Sequence, residues 1–108
     1  MLAILDHQTE QPLSIDSFDG RADEVFTIVD GETEVPMTLV KVERLTKYEG
    51  SPCQNPGCLL FRVEMKWSIP QRLYRVRSDG HEDIVVFLTT VAPPAGDSDH
   101  DYLETLFN

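Results

Sequence analysis

The sequence CLLFRVEMKWSIPQRLYRVRSDGHEDIVVFLTTV, residues 58–91, holds the densest apolar residues of the chain and its clearest alternation. From Leu59 to Trp67 one parity reads Leu, Phe, Val, Met, Trp and the other reads Leu, Arg, Glu, Lys. This two-residue period is typical of a strand with one buried face, whereas helical spacing would scatter the charges around a cylinder. We therefore predict a strand over Leu59–Trp67 that ends before Pro70, because proline donates no ladder hydrogen bond.

Two further strands are predicted within the same stretch. Arg72–Arg77 alternates, and we expect Tyr74 and Val76 to face inward and the arginines to face outward. Gly80 lies in a run of turn residues and suits a positive φ. Ile84–Val91 is nearly continuous in apolar and β-branched residues. Such a run is typical of a central strand covered on both faces, or of a strand inside a closed barrel.

The chain before this stretch predicts a hairpin. Glu24–Val29 alternates as a strand, and Asp30-Gly31 after it is a strong signal for a tight turn. In Thr33–Leu45 the apolar parity changes partway, so we predict a β-bulge near Leu39-Val40 that restores a common inward face. Upstream, Pro12–Phe18 predicts one helical turn, since proline suits the first turn of a helix.

Together these elements predict one all-β domain over residues 1–108. Tyr102–Phe107 is predicted as the last strand, and loops are expected over Lys47–Gly57 and Ala92–Asp101. Six or seven short strands with turn signals between them favour a mainly antiparallel fold, either a small, partly closed barrel or a compact sandwich. One short N-terminal helical turn near Asp16 completes it. Met1–Gln11 is expected to be an edge strand or a loosely ordered segment.

The second half of the chain resembles a family of short bacterial proteins known only as a domain of unknown function. That family reads roughly LLFRG, LPQGxYxLxH, LFLVPV, Y and FN. The similar residues here are Leu59-Leu60-Phe61-Arg62, Ile69-Pro70-Gln71, Tyr74, His81, Phe87-Leu88, Val91, Tyr102 and Phe107-Asn108. Arg72 departs from the pattern, which has glycine at that position. The resemblance implies a small β-rich domain without an assigned activity, encoded near genes for phage-tail-collar-like proteins.

Length and charge limit the classes of partner. A chain of 108 residues supports one hydrophobic core. Its formal net charge of −10 repels a phosphate backbone, so no nucleic-acid partner is expected. No run approaches the ~20 apolar residues of a membrane helix, so no membrane insertion is expected. The N-terminus, MLAILD, lacks the basic region of a secretory signal, which predicts a cytoplasmic protein.

Charge is segregated along the chain. Between Asp6 and Glu34 there are nine acidic residues and one basic residue, whereas Arg62–Arg77 holds five basic residues and one acidic residue. The basic segment can meet an acidic partner or the acidic N-terminal region of a second copy, and it can equally be a solvated outer face. Trp67 either packs in the core or lies at a rim where it contributes to binding. The predicted binding residues are Arg62, Lys66, Trp67, Arg72, Arg75 and Arg77.

The two cysteines leave two alternatives open. Cys53 and Cys58 form a C-x4-C pair inside a loop rich in proline and glycine. A structural zinc site needs four ligands, and neither a second cysteine pair nor a suitable histidine pair completes this one. The residues are therefore predicted either as two free thiols or as a local disulfide, which a reducing cytoplasm disfavours.

The sequence contains none of the motifs by which catalytic residues are usually recognised. His81 precedes Glu82-Asp83 and so has carboxylates beside it, but no serine or cysteine lies in a nucleophile elbow. Asp97-x-Asp99-x-Asp101 resembles the start of a calcium loop, yet the sixth position is Tyr102 where an EF-hand has glycine. That loop is therefore predicted to be solvated. We expect no enzymatic activity, no cofactor and no metal.

Two hypotheses about function follow. The first is a non-enzymatic protein–protein interaction or assembly-accessory module of a bacterial, phage-tail-like system. It rests on small size, segregated charge, missing catalytic residues and the family resemblance, and its partner is an unidentified protein or a second copy. The alternative is a β-barrel that binds an apolar small molecule in its interior.

Overall fold

A computed structural model describes residues 15–45, 56–64 and 67–107. A 3-10 turn at Ile15–Phe18 precedes six strands. The strands are β1 (Val25–Asp30), β2 (Thr33–Arg44), β3 (Gly57–Glu64), β4 (Arg72–Arg77), β5 (Ile84–Val91) and β6 (His100–Phe107). All neighbouring strands are antiparallel, and they form a closed barrel in the order β1-β2-β3-β6-β5-β4. The predicted all-β fold is confirmed, and of the two predicted architectures the barrel is the one observed.

Alternation along the strands fills the barrel. Phe61 on β3, Tyr74 on β4 and Leu88 on β5 each belong to the inward parity and are at most 5% exposed. Phe26 and Phe61 pack edge to face, with ring centroids 5.5 Å apart. The buried core residues are Ile15, Phe18, Phe26, Ile28, Val35, Met37, Leu39, Leu59, Phe61, Val63, Tyr74, Val76, Val86, Leu88 and Leu103. Over the described ranges, no helix is long and apolar enough to span a membrane.

The first hairpin follows its sequence signals. The hairpin that Asp30-Gly31 predicts is confirmed, but its two turn residues are Gly31 and Glu32, because Asp30 is the last residue of β1 and pairs with Thr33. Gly31 has a φ of 63°. In β2 the register with β3 shifts, because Leu39 pairs with Phe61 whereas Lys41 pairs with Leu60. Val40 is thus the extra residue of a bulge, and the predicted bulge is confirmed.

One of the two settings predicted for β5 is excluded, and one prediction about β4 is wrong. β5 is not covered on both faces: Val86 and Leu88 are buried, but Val85 and Phe87 are 51% and 46% exposed. The second predicted setting, a strand inside a closed barrel, is the one observed. The prediction that Arg72 faces outward is wrong, because Arg72 pairs with the inward Leu88 and shares the parity of Tyr74. It lies at the end of the barrel.

Other predicted elements end at different residues in the structure or lie partly outside the described residues. β3 ends at Glu64, so Trp67 lies beyond the strand that was predicted to include it. Met1–Gln11 lies outside the described residues. Of the predicted loop Lys47–Gly57, the structure describes only Pro56 and Gly57. Gly57 is already the first residue of β3.

The 3-10 turn closes one end of the barrel. Ile15 and Phe18 are at most 1% exposed, and the Phe18 ring stacks on Phe107 with centroids 5.9 Å apart. Ile15 fits because Gly57 has no side chain. A Cβ added to Gly57 would lie 2.7 Å from both Ile15 Cγ1 and the carbonyl oxygen of Glu43.

Substituting Gly57→Ala is therefore expected to destabilise the barrel. Overpacking of this kind costs about 1–3 kcal/mol, because the turn or β2 must move to make room. The measurement is the free energy of unfolding from denaturant titration. Ser68→Ala, at an exposed position, is the control and should change stability by less than about 0.5 kcal/mol. Equal stability of the two variants would show that the turn does not pack tightly on Gly57.

Candidate functional site

An apolar surface lies on the outside of the barrel, on β4 and β5. Leu73 is 60% exposed and pairs across the strands with Phe87, which is 46% exposed. Val85, 51% exposed, lies two residues before Phe87 on the same face and pairs with Arg75. We call these four residues, Leu73, Arg75, Val85 and Phe87, the outer β4–β5 face. Cross-strand partners on one face are neighbours, so the apolar side chains form one patch.

The composition of these two strands explains the patch. In a barrel wall only one parity can face the core, and Val86 and Leu88 occupy it on β5. The other parity of β5 is also apolar, so Val85 and Phe87 face water. On β2 the outer positions are mostly polar, with Glu34, Thr38, Lys41 and Glu43 beside one proline, Pro36. Apolar side chains scattered singly on a surface are ordinary, whereas contiguous apolar patches are more typical of interaction sites.

Arginines border the patch. Arg75 Nη1 lies 3.9 Å from Asp83 Oδ2, and Arg77 Nε lies 3.3 Å from Asp83 Oδ1. The Asp83 carboxylate therefore forms ion pairs with both guanidinium groups. Both arginines are more than half exposed, so these ion pairs contribute little to stability. Counted alone, this group of two guanidinium groups and one carboxylate has a formal charge of +1.

The other predicted binding residues do not share this surface. Arg62 lies on β3, which is separated from β4 by β6 and β5 on one side and by β2 and β1 on the other. Arg72 lies at the barrel end, 2.6 Å from Asp30 Oδ2, with its guanidinium carbon 4.5 Å from the centroid of the Tyr74 ring. Trp67 is half-buried and packs against the core. Lys66 lies outside the described residues.

Sequence reasoning missed Leu73, Val85 and Phe87. The signal was present, because Leu73 has the parity of Arg75, and in IVVFLTTV both parities are apolar. Such a run was interpreted as a strand covered on both faces or a strand inside a closed barrel, and neither interpretation singled out its exposed residues. Only the barrel topology shows that one of its faces has no covering layer within the described part of the chain.

The Cys58 thiol lies on the outer side of β3 between two carboxylates. It is 7% exposed, and Sγ donates a hydrogen bond to Glu43 Oε1 at 3.7 Å. Burial, followed by the charges of Glu104 and Glu43, raises the pKa of Cys58 to about 11. The thiol is therefore protonated and unreactive at neutral pH. Cys53 lies outside the described residues, so the disulfide stays a prediction.

The acidic loop before β6 is held by hydrogen bonds to Asp97. The Tyr102 hydroxyl donates to Asp97 Oδ2 at 2.5 Å, and the Asp99 amide donates to Oδ1 at 2.9 Å. These bonds, with that of His100, lower the pKa of Asp97 to about 2 despite partial desolvation. In residues 97–101, all described, no three acidic or histidine groups are arranged to hold a metal ion. Asp97 instead organises the entry to β6.

A cleft of about 390 Å³ opens beside the 3-10 turn, and His81 lies in its wall. Ser17, Ser78 and Glu82 also line it, so the residue types for a nucleophile and a base are near one another. Ser78 Oγ, however, accepts a hydrogen bond from Arg21 Nη2 at 2.9 Å. Arg21 itself packs over the Phe26 ring at 4.7 Å. In this geometry Ser78 supports Arg21, and the cleft presents no activated nucleophile among the described side chains.

Comparison with known proteins identifies one family. The model of a family described as Domain of unknown function (DUF6916) matches residues 13–107. No curated protein matches the chain, and no solved structure matches it.

The bond from Tyr102 to Asp97 predicts a pH-dependent loss of stability in Tyr102→Phe. A carboxyl group whose pKa is lower in the folded than in the unfolded protein stabilises the fold at pH values above its unfolded pKa of 3.8. This stabilisation disappears as the pH falls towards the folded pKa of about 2. The variant should therefore be less stable than the wild type at pH 6, and the difference should shrink at pH 3. Thermal unfolding at both pH values measures it.

Tyr74→Phe is the matched control for this experiment. The Tyr74 hydroxyl donates to the backbone carbonyl of Pro70 at 2.5 Å, which does not titrate. Its loss should cost the same at both pH values. If Tyr102→Phe also loses equal stability at both pH values, the hydrogen bond from Tyr102 does not stabilise the ionised form of Asp97.

Slow alkylation of Cys58 is expected from its raised pKa. In a Cys53→Ser variant kept reduced, a pKa of about 11 in place of 9.0 leaves about a hundredfold less thiolate at pH 8. The rate of reaction with iodoacetamide, followed by mass spectrometry, should rise about tenfold per pH unit until near pH 11. Glu104→Gln should lower the pH of the plateau, because it removes a negative charge. A plateau below pH 9 in the parent would contradict the assignment.

Proposed function

The chain belongs to the DUF6916 family of domains of unknown function, and from that premise we propose that it is a non-enzymatic protein-interaction module. Its contact surface is the outer β4–β5 face. The apolar residues there bind the partner, and the role is that of an accessory to a larger assembly. The observation that supports this proposal is the adjoining exposure of Leu73, Val85 and Phe87 around Arg75.

The composition of this face matches the centre of a protein interface. Arginine and aromatic residues are enriched at interfaces, and a few buried anchors supply most of the binding energy. Phe87 is the aromatic anchor, with Leu73 beside it on β4. Full burial of one such side chain is worth roughly 1.5–3 kcal/mol. Arg75 supplies a charged group that can pair with a carboxylate of the partner once water is excluded.

The alternative, a barrel that binds a small molecule in its interior, has less support. Eight strands enclose an interior just large enough for side chains or one small ligand. Six strands enclose less, and here the inward side chains of every strand pack on one another. The cleft lined by His81 is open at the surface rather than inside the barrel.

The biological setting is part of the same proposal. We propose an assembly accessory in the cytoplasm of a bacterium, in a phage-tail-like system. The resemblance of Leu59–Asn108 to short bacterial proteins with such gene neighbours supports this setting. The charge of −10 favours a protein partner over nucleic acid. Of the predicted basic residues that the structure describes, Arg75 is part of the contact surface, whereas Arg62 lies on β3 and Arg72 lies at the barrel end.

Phe87→Ser is expected to abolish partner capture while the domain stays folded. The tagged full chain is expressed in its native cells, and the proteins bound to it are quantified by mass spectrometry. Truncating an interface anchor should reduce the recovered stoichiometric partner by about tenfold or more. Leu73→Ser should act in the same direction.

Val25→Ser is the matched control. Val25 is 54% exposed on β1, a similar exposure to that of Phe87, but it lies outside the outer β4–β5 face. This variant should retain the partner. Equal recovery with Phe87→Ser and Val25→Ser, or no stoichiometric partner with the wild type, would refute the proposed contact surface.

A further inference from the structure

The outer β4–β5 face has charges of opposite sign on its two sides. Arg75 pairs with Val85 on the β4 side, and Glu104 pairs with Thr89 on the β6 side. Phe87 lies midway between Val85 and Thr89 on the central strand β5. Arg75 and Glu104 are thus on opposite sides of Phe87 along one diagonal of the sheet. The spacing between strands and the rise per residue place the Cα atom of each about 8 Å from the Cα atom of Phe87.

Counted from the ion pairs of the described residues, each side has one charge in excess. On the β4 side, Arg75 and Arg77 share the single carboxylate of Asp83. On the β6 side, no cation of the described residues lies within 4.0 Å of the Glu104 carboxylate. The field of Glu104 is strong enough there to help raise the pKa of Cys58. The two sides are therefore complementary to each other.

The apolar surface also continues onto β6. Leu106 is 53% exposed, and Leu106 and Phe87 each lie two residues from the Thr89–Glu104 pair in the same direction along the sheet. Leu73 on β4 pairs with Phe87 on its other side. Leu73, Phe87 and Leu106 thus form an apolar row across three strands, with Phe87 at its centre.

We propose that the occupant of this face is a second copy of the chain, bound in a symmetric dimer that places Arg75 of each copy against Glu104 of the other. An isologous interface must be complementary to itself, since the same patch serves both copies. A two-fold axis that lies in the interface, passes over Phe87 and runs perpendicular to the Arg75–Glu104 diagonal meets this requirement. It also brings the two Phe87 side chains together at the centre. This inference rests on the proposed function, because it names the partner of the same surface.

Convex shape and overall charge both limit the affinity. The outside of a small barrel is convex, so two copies bury an area at the low end of protein interfaces, below about 1,200 Å². Each chain also carries a net charge of −10. Repulsion between exposed charges is screened beyond about 8 Å at physiological ionic strength, whereas the two Arg75–Glu104 contacts lie within the interface. A weak, concentration-dependent dimer is the expected form.

Sedimentation equilibrium of the full-length chain, at concentrations up to about 1 mM, tests the proposal. The wild type should dimerise. Arg75→Glu and Glu104→Arg should each raise the dissociation constant by about tenfold or more, because like charges then face each other. The double variant Arg75→Glu/Glu104→Arg should restore it to within about threefold of the wild type, since both contacts re-form with reversed sign. Circular dichroism establishes that each variant is folded, and Glu104→Gln replaces Glu104→Arg if the latter is not.

Lys41→Glu is the matched control. Lys41 lies on β2, which is not a neighbour of β4, β5 or β6, and its Nζ lies 3.6 Å from Glu43 Oε1. Its reversal changes the net charge by as much as Arg75→Glu does, but away from Phe87 and Glu104. It should change the dissociation constant by less than about threefold. A wild type that stays monomeric at every concentration overturns the proposal, and so does a dimer that tolerates both Phe87→Ser and the single charge reversals.

The two proposals fail in different ways. If the wild type is monomeric but Phe87→Ser still loses a different protein in the capture experiment, the contact surface is correct and its occupant is not a second copy. If the wild type is monomeric and Phe87→Ser captures the same proteins as Val25→Ser, both the surface and the dimer are rejected.

Discussion

The pairing of β1 with β4 closes the barrel, and the rest of the structure depends on it. Three residue pairs, Thr27 with Arg77, Ile28 with Val76 and Val29 with Arg75, join the first and fourth strands. Without them the sheet would have two edges with unpaired backbone groups. With them, one parity of every strand faces a common core. The 3-10 turn then needs only one residue without a side chain, Gly57, to fit over the end of that core.

Closure also produces the apolar outer face. In a layered fold a strand such as IVVFLTTV can bury both its faces, but in a barrel wall it buries only one. Tyr74, Val86 and Leu88 take the inside, and Leu73, Val85 and Phe87 are left on the outside. Apolar area that stays exposed to water does not stabilise the isolated domain. Its burial in a complex would stabilise that complex. The same strands therefore build the core and the proposed contact surface.

Many of the basic side chains form ion pairs with carboxylates of the same domain. Arg44 contacts Asp16 at 2.7 Å and Asp19 at 2.6 Å, which ties the 3-10 turn to β2. Arg72 is paired with Asp30 at the other end of the barrel. A stretch that is basic in sequence is consequently not one basic surface. What distinguishes Arg75 is its position among apolar neighbours, since a partner on the proposed contact surface would exclude water from around its charge.

Local patterns in the sequence determined the strands. The two-residue period in Arg72–Arg77 predicted that strand to the residue, the Asp30-Gly31 turn predicted the first hairpin, and the change of parity in β2 predicted the bulge. Each depends on residues close together in the chain, where sterics and turn geometry act directly. The small antiparallel β fold followed from them, with barrel and sandwich both open.

Only the tertiary structure decided which strands are neighbours. β3 lies beside β6 rather than β4, and this separates Arg62 from Arg75 and brings Glu104 to the far side of Phe87. Alternation assigns side chains to two faces, but it contains no information about what covers either face. That depends on pairing between residues far apart in the chain, which the barrel settles as a whole.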